Sequence, residues 1–93
     1  MPLTRGRIGG YDSERLAFGF TMMNGDQEIE CQISDAAMDE LAGTRGTASM
    51  ARQAQFVALR DAVEQIASDI YDSSPLRGAT IRIFTKHIAR EQS

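Results

Sequence analysis

The sequence has few of the residues that build metal and redox sites, since it contains one cysteine, Cys31, and one histidine, His87. A lone cysteine cannot form a disulfide within its own chain. Zinc sites are built from about four ligands, mostly cysteine and histidine, so we expect no metal and no cofactor. The carboxylates Asp35, Asp39 and Glu40 leave an all-oxygen site open, but we interpret them as the solvated surface of a helix.

The sequence also lacks a long apolar run and an excess of basic residues. No run approaches the roughly 20 apolar residues that cross a bilayer, and no apolar stretch follows residues 1–7, so neither a membrane span nor a secretory signal is expected. The 10 basic residues are outnumbered by 13 acidic ones, which gives a net charge of −3. Nucleic-acid-binding domains carry a clustered basic excess. We therefore expect a cytoplasmic protein for which membrane and nucleic acid are unfavourable partners.

What the sequence does contain is the composition of one globular domain. It has 93 residues, of which 42% are hydrophobic and 25% are charged, and these values suit a single core. We place a single α+β domain at residues 11–85. Residues 1–10 are interpreted as a flexible or edge-strand segment, because Gly9-Gly10 interrupts any regular pattern. Residues 86–93 are interpreted as a polar C-terminal tail.

The clearest local signal is a β-hairpin. Apolar residues occupy alternate positions in residues 16–22 and again in residues 29–33, which is the pattern of strands with one buried face. Between them lies Asn24-Gly25, a pair that favours a type I′ turn. With these two residues as the loop, three apolar pairs are expected on one face: Leu16–Ile33, Phe18–Cys31 and Phe20–Ile29.

Two helices are predicted after the hairpin. Ser34 is a suitable N-cap for a short helix that ends at Gly43. A longer helix, from near residues 47–50 to about residue 72, is indicated by apolar side chains at spacings of three and four: Phe56, Leu59, Val63, Ile66 and Ile70. Arg60 interrupts this stripe, and we expect it to pair with Glu64 one turn later.

A third strand closes the predicted fold. Ser73-Ser74-Pro75 ends the long helix, and residues 79–84 have the β-branched composition of a strand with Ile81 and Ile83 facing inward. The predicted order is strand, strand, short helix, long helix, strand. This ββααβ order indicates an α+β protein whose helices pack on one face of a small sheet.

These elements carry a resemblance to a known family over about residues 11–85. The matching positions are Tyr11-Asp12, Phe18, Gly25, Cys31, Ile33-Ser34, Ala37, Leu41, Phe56, Arg60, Val63, Ile66 and Ala67. In their spacing the sequence resembles the bacterial family designated domain of unknown function 1488. The resemblance implies an α+β fold and a bacterial source, and it implies no activity and no catalytic residue. The loop at residues 43–47 is not a feature of that family.

Cys31 and His87 are the residues to weigh for catalysis. A cysteine with a distant histidine could form a nucleophile and its base. A reactive thiol, however, needs an electropositive and partly exposed setting, whereas Cys31 lies among apolar positions of the hairpin. We therefore favour a buried core residue and interpret His87 as a surface residue. No catalytic residue is predicted, and an enzyme is the less favoured class.

The loop between the two helices is a candidate anion or ligand loop. It comprises Thr44, Arg45, Gly46 and Thr47 and precedes the start of the long helix. Backbone N–H groups at a helix N-terminus hold anions, and Arg45 would assist them. The competing interpretation, which we favour, is an ordinary loop after the helix-ending Gly43.

We interpret the protein as a non-catalytic interaction or assembly module, binding a second copy of itself or another protein. The long helix exceeds the length of the strands, and the hairpin tip carries Met22 and Met23, adaptable side chains common at interfaces. One alternative is a small ligand-binding domain or enzyme that uses residues 43–47. A weaker alternative is a nucleic-acid-binding accessory protein that uses Arg5 and Arg7.

Overall fold

A four-stranded mixed sheet forms the centre of the protein. The computed structural model describes residues 3–73 and 80–92. The elements in chain order are β1 (Thr4–Asp12), β2 (Ala17–Asn24), β3 (Gln27–Ser34), α1 (Asp35–Ala42), a 3₁₀ turn (Ser49–Ala51), α2 (Arg52–Ser73), β4 (Ile81–Ile83) and α3 (Thr85–Gln92). The strands lie in the order β1-β2-β3-β4, with β1, β2 and β3 antiparallel and β4 parallel to β3. The predicted α+β class is confirmed.

Strand β1 extends the predicted order at its start. It runs past residue 10 to Asp12, so the boundary that we placed between residues 10 and 11 falls inside a strand. Gly9-Gly10 does not end β1. The register of β1 against β2 shifts between Ile8 and Gly10, and the strand then continues. Gly10 has φ 128°, a conformation that glycine adopts without steric cost. The sheet therefore has three strands before the first helix.

The hairpin forms, but its register is two residues from the predicted one. Asn24 pairs with Gln27, so that Gly25 and Asp26 form the loop. Gly25 has φ 64°, whereas Asp26 has no positive φ, and this is the φ pattern of a type II′ turn. The apolar pairs are Met22–Ile29, Phe20–Cys31 and Phe18–Ile33. A shift of two residues keeps the strand side chains on their predicted faces, so the buried face was predicted correctly from Phe18 onward and the pairing was wrong. The prediction was also wrong for Leu16, which precedes β2 and is 58% exposed.

Helix α1 begins and ends as predicted. The Ser34 hydroxyl accepts a hydrogen bond from the Ala37 N–H at 3.1 Å, which satisfies one of the amides that a helix start leaves without a partner. Gly43 takes φ 73° and its N–H donates to the Glu40 carbonyl. The α1 helix therefore follows β3 without an intervening loop.

Helix α2 covers one face of the sheet and completes the core. Phe56 is buried with its ring stacked 4.8 Å from that of Phe18 and 5.0 Å from that of Phe20. Ile81 and Ile83 face inward from β4, as predicted. The described part of α2 ends at Ser73, and the predicted stop at residues 74–75 lies outside the described residues.

The predicted polar tail contains a third helix. Helix α3 spans Thr85–Gln92, and its Ile88 is fully buried in the core. Residues 86–93 are mostly polar, which is why composition alone suggested a tail. The Phe84 N–H donates to Nδ1 of His87 at 2.8 Å, and the Phe84 carbonyl accepts from the His87 N–H at 2.9 Å. His87 therefore caps the start of α3 in the manner of a capping box.

Candidate functional site

A buried arginine joins the two central helices. Arg52, at the start of α2, has only 3% of its surface exposed. Its Nη1 lies 2.7 Å from Oδ1 of Asp39 and 2.7 Å from Oε1 of Gln55. Its Nε lies 3.5 Å from Oδ1 of Asp35, in ion-pair range but without a hydrogen bond. Because a buried charge is costly unless it is paired, this cluster holds α1 against α2.

Asp39 is the centre of this cluster. Its Oδ1 accepts hydrogen bonds from Arg52, from the Thr47 hydroxyl at 2.7 Å and from the Gln55 side chain at 3.1 Å. The Arg52 hydrogen bond, assisted by those from Thr47 and Gln55, holds the pKa of the Asp39 carboxyl well below its usual range. A carboxyl with so many donors stays ionised at neutral pH. We call Asp35, Asp39, Thr47, Arg52 and Gln55 the Asp39–Arg52 cluster.

The cluster occupies the loop that the sequence marked as a candidate anion site. The Thr47 hydroxyl already donates to Asp39, and the Thr44 N–H donates to the Asp39 backbone carbonyl at 2.9 Å. Gly46 has φ 67°. The Arg45 side chain is exposed and forms no hydrogen bond with the described residues. The negative charge beside this loop is therefore the Asp39 carboxylate of the protein itself. This arrangement favours the ordinary-loop interpretation over an anion site.

Arg52 is the residue that sequence reasoning missed. It lies four residues before Phe56 and so continues the buried stripe of α2 toward its N-terminus. A charged residue at a core-facing helical position was the signal that could have found it, since such residues are seldom buried unless paired. From the sequence we had singled out Arg60, not Arg52, as the charged residue within the apolar stripe.

Cys31 is a core residue with an unreactive thiol. It is buried, and its Sγ lies 3.6 Å from the Ile29 carbonyl. Burial raises the pKa of the Cys31 thiol to about 12, and the hydrogen bond with the Met22 backbone only partly offsets this effect. The thiolate is the nucleophilic form, so this setting disfavours catalysis by Cys31.

We expect Cys31 to resist a thiol reagent until the protein unfolds. An ordinary thiol has a pKa of 9.0, so below that pH the native protein carries about a thousandfold less thiolate than the unfolded chain. An aromatic disulfide reagent releases an aromatic thiol when it reacts with Cys31. The absorbance of that thiol at about pH 8, followed with and without urea, measures the difference in labelling rate. Because the unfolded chain loses this proton first, stability should also fall as the pH rises from about 9 toward 12. Rapid labelling without urea would contradict the assignment.

The two methionines proposed for an interface lie in different environments. Met22 is buried in the core beside Ile29, so it is not available to a second chain. Met23 is half-buried on the opposite face of β2. The alternation of β2 explains the correction, because it places Met22 on the same buried face as Phe18 and Phe20.

Exposed apolar side chains lie instead on the outer face of α2 and at one edge of the sheet. Met50 and Val57, near the N-terminal end of α2, are 97% and 53% exposed. Leu16 and Phe84, at the edge of the sheet, are 58% and 45% exposed. Single exposed apolar residues are ordinary. Two separate pairs mark two surfaces that are available for contact.

The N-terminal arginines are engaged within the chain. Arg5 lies 2.7 Å from Asp61 and 3.0 Å from Glu64 of α2. Arg7 makes a two-point contact with Glu28 at 2.7 and 2.8 Å. Guanidinium groups that already pair with carboxylates are less available to phosphates. This weakens the nucleic-acid alternative.

A depression lies on the face of the sheet opposite α2. It has a volume of about 250 Å³ and is lined by Arg15, Ala17, Gln32, Ser34, Arg82, Ile83 and Phe84. We call it the Arg82 pocket. A second depression of about 200 Å³ lies beside β1 and α2, and its charged residues are the paired Arg5, Asp61 and Glu64.

The family is decided by a match over most of the chain. The model described as "Protein of unknown function (DUF1488)" matches residues 6–82. The chain belongs to the DUF1488 family. A crystal structure of a DUF1488 protein of unknown function from Shewanella loihica PV-4 has a similar fold, with a TM-score of 0.72 and 19% identity over 88% of this chain and 89% of that one. At this identity the likeness shows the fold alone. Among curated proteins, none matches the sequence.

The resemblance to the DUF1488 family is thus confirmed, and its matched polar residues have structural partners. The Tyr11 hydroxyl donates to Oδ2 of Asp35 at 2.7 Å, and this hydrogen bond raises the pKa of Tyr11. Arg60 pairs with Glu64 at 3.0 Å, as predicted, and also donates to the Gly6 carbonyl at 3.2 Å. These contacts tie β1 to both central helices of the DUF1488 fold.

The described part of this DUF1488 protein holds no group of three or more metal-ligand side chains placed to bind an ion. None of its described helices is both long and apolar enough to cross a membrane. The described contacts of the Asp39–Arg52 cluster join α1 to α2.

Proposed function

We propose that this DUF1488 protein is a non-catalytic assembly domain of the bacterial cytoplasm that forms a homodimer through the outer face of α2. The observation that carries this function is the exposure of Val57 on the outer side of α2, and of Met50 in the 3₁₀ turn before it, while the other side of α2 is buried in the core. Side chains of this kind gain stability when a partner removes them from water.

The outer face of α2 is small-residue and mostly apolar, and it includes the exposed carboxylate of Asp61, which pairs with Arg5. Its uncharged residues recur at spacings of three and four, which places them on one side of a helix: Ala54, Val57, Ala58 and Ala62, all exposed, with the exposed Met50 preceding them in the 3₁₀ turn. Alanine side chains are small, so two such helices can approach closely at this surface. A two-fold axis near Val57 would place this surface against its own copy, as an isologous dimer requires.

Opposite charges without ion pairs flank this surface. Arg45 lies in the loop before α2, and Asp69 lies near the end of α2. Neither forms an ion pair within the described residues, since the Asp69 carboxylate accepts a hydrogen bond only from the neutral Gln65 side chain. In an antiparallel pair of α2 helices, the loop of one copy approaches the helix end of the other. Arg45 and Asp69 would then attract across the interface.

The dimer is expected to be weak. The surface from Met50 to Ala62 is about 18 Å long and about 10 Å wide, so one helix pair buries less than the roughly 1,200 Å² of a stable interface. An interface of this size suits reversible assembly at micromolar or higher concentration.

Light scattering after gel filtration tests the proposed dimer. We expect the mass to rise from the 10.2 kDa of one chain toward twice that value as the concentration increases. Val57→Asp should keep the protein monomeric, because it places two like charges beside the axis. Gln27→Asp, which adds the same charge at the exposed start of β3, serves as the control and should leave the dimer unchanged.

A charge exchange tests the orientation of the helices. Arg45→Glu and Asp69→Arg should each weaken the dimer, and the double variant should restore it, because it reverses the attracting pair. A wild-type protein that stays monomeric at high micromolar concentration would overturn the dimer. Restoration that fails while both single variants weaken the dimer would overturn the antiparallel arrangement only.

A further inference from the structure

The Arg82 pocket lies where the two parallel strands end and two helices begin. Helix α1 follows β3 directly, and α3 follows β4 after Phe84. Because β3 and β4 are parallel, their carboxyl ends meet at the same edge of the sheet, which is where open α/β sheets bind ligands. The N-terminal ends of α1 and α3 add partial positive charge near this edge.

Arg82 is a cation without a partner in the described structure. It forms no ion pair or hydrogen bond with the described residues, and it lies beside Gln32 in the strand register. The side chains of both residues face away from the core, on the open face of the sheet. A guanidinium and a carboxamide side by side offer several N–H donors to one oxyanion.

The second cation of the pocket is Arg15. Its Nε lies 3.7 Å from Oδ2 of Asp12, beyond hydrogen-bond distance, and more than half of its side chain is exposed. Glu30 lies two residues before Gln32 on the same face of β3, and Asp35 at the start of α1 already accepts from Tyr11. Among the described residues, Asp12 is the carboxylate within ion-pair distance of either guanidinium group of the pocket.

The backbone beside Arg15 has an uncommon conformation that shapes the pocket. Leu16 has φ 51°, which a residue other than glycine seldom adopts. Its carbonyl accepts a hydrogen bond from the Asp35 N–H at 2.9 Å, which fixes this turn. The turn lies between Arg15 and Ala17, two residues of the pocket. Strained backbone of this kind is found preferentially at ligand-binding sites.

An apolar wall completes the pocket. Phe84, 45% exposed, forms it, whereas the Ile83 side chain faces the core. The hydrogen bonds between Phe84 and His87 fix the backbone of Phe84. An exposed aromatic ring beside two guanidinium groups suits a ligand with an apolar part next to its anionic group.

We propose that the Arg82 pocket binds a small molecule carrying one oxyanion, a carboxylate or a phosphate ester, on a short apolar or aromatic group. Planar guanidinium groups match both oxyanions in two-point contacts. The volume of about 250 Å³ lies just below the roughly 300–1,000 Å³ of drug-sized ligands, so the ligand is small. The pocket lies on the opposite side of the sheet from α2, so this site is independent of the proposed dimer.

Amide chemical shifts in titrations of the whole protein with sodium benzoate and with phenyl phosphate test the site. At constant ionic strength, we expect saturable shifts at the amides of Arg15, Gln32, Arg82 and Phe84, with a dissociation constant near about 1 mM for at least one probe. The better of the two probes identifies the preferred oxyanion. Gel filtration at the same concentrations shows whether the dimer changes, which separates the two proposals.

Arg82→Gln should weaken binding about tenfold or more, the factor that one charge-assisted hydrogen bond contributes. Arg45→Gln removes the same charge from an exposed arginine outside the pocket and should leave binding within about twofold. Phe84→Ala should weaken both probes, since both carry an aromatic ring. Shifts that never saturate for either probe, or equal losses in Arg82→Gln and Arg45→Gln, would overturn the site.

Discussion

Replacing Arg52 with alanine is expected to lower the free energy of unfolding by about 3–5 kcal/mol, the range for removing one partner of a buried ion pair. The guanidinium is almost fully buried and lies 2.7 Å from Asp39 and 3.5 Å from Asp35. Without it, two largely buried carboxylates face each other with no cation between them. Urea unfolding followed by circular dichroism measures the loss.

Arg45→Ala is the matched control for this variant. It removes the same side chain from the exposed loop seven residues earlier. Measured at a concentration at which the protein is monomeric, it should change the free energy of unfolding by no more than about 0.5 kcal/mol. Arg52→Lys keeps the charge but not the planar fork that reaches both Asp39 and Gln55, so its loss should be intermediate. Equal stabilities of Arg52→Ala and Arg45→Ala would contradict the role of the cluster.

The pH dependence gives a second measure of the same ion pair. In the folded protein the pKa of Asp39 is held below its ordinary value of 3.8, chiefly by the Arg52 hydrogen bond. The resulting stability is present above that value and is lost as the pH falls toward the folded pKa. The wild-type protein should therefore lose stability steeply below about pH 5, and Arg52→Ala should lose less over the same interval. Identical slopes would show that Asp39 does not depend on Arg52.

Replacing Phe56 with alanine is expected to cost about 3–5 kcal/mol of unfolding free energy. Its ring packs on Phe18 at 4.8 Å and Phe20 at 5.0 Å, and it joins α2 to the sheet at the centre of the core. The Arg60 guanidinium carbon lies 5.9 Å from the ring centre, so a cation–π contact is lost as well. The cavity would lie between the two layers of the fold, where no neighbouring loop can move to fill it.

Val57→Ala is the matched control, because Val57 follows Phe56 in the chain but lies on the outer face of α2. Measured at a concentration at which the protein is monomeric, it should change stability by no more than about 0.5 kcal/mol. Phe56→Leu keeps an apolar side chain and removes the ring stacking, so its loss should lie between the two. A loss in Phe56→Ala as small as that in Val57→Ala would show that the aromatic cluster is not the centre of the core.

Features that depend on neighbours along the chain were predictable from the sequence. The cap at Ser34, the end of α1 at Gly43 and the inward positions of β4 were predicted correctly, because each depends on residues within one turn or one strand. The pairing register was predicted incorrectly, and the loop lies one residue later than predicted, at Gly25-Asp26. Gly25 alone supplies the positive φ, and Asn24 remains in the strand, where its side chain donates to the Tyr71 hydroxyl of α2.

For the candidate sites too, local features were predictable from the sequence and contacts between distant residues were not. The Gly43–Thr47 loop was visible in the sequence, but its threonine hydroxyls donate to Asp39, which the sequence interpretation had placed on the solvated surface. The Arg82 pocket joins residues from the β1–β2 turn, β3 and β4. No local pattern links positions so far apart, and an exposed arginine in a strand has no distinctive signal in a sequence.

The sequence by itself determined the class of the fold, the buried face of the hairpin, the stripe of α2 and the burial of Cys31, because alternation and helical spacing act over a few residues. Only the tertiary structure decided the hairpin register, the choice of an edge strand rather than a flexible segment for β1, the incorporation of α3, the burial of Arg52 between two carboxylates and the exposure of Arg82. These depend on which segments meet in space. Pairing and burial of charged groups are set by distant partners, and their free energies outweigh local preference.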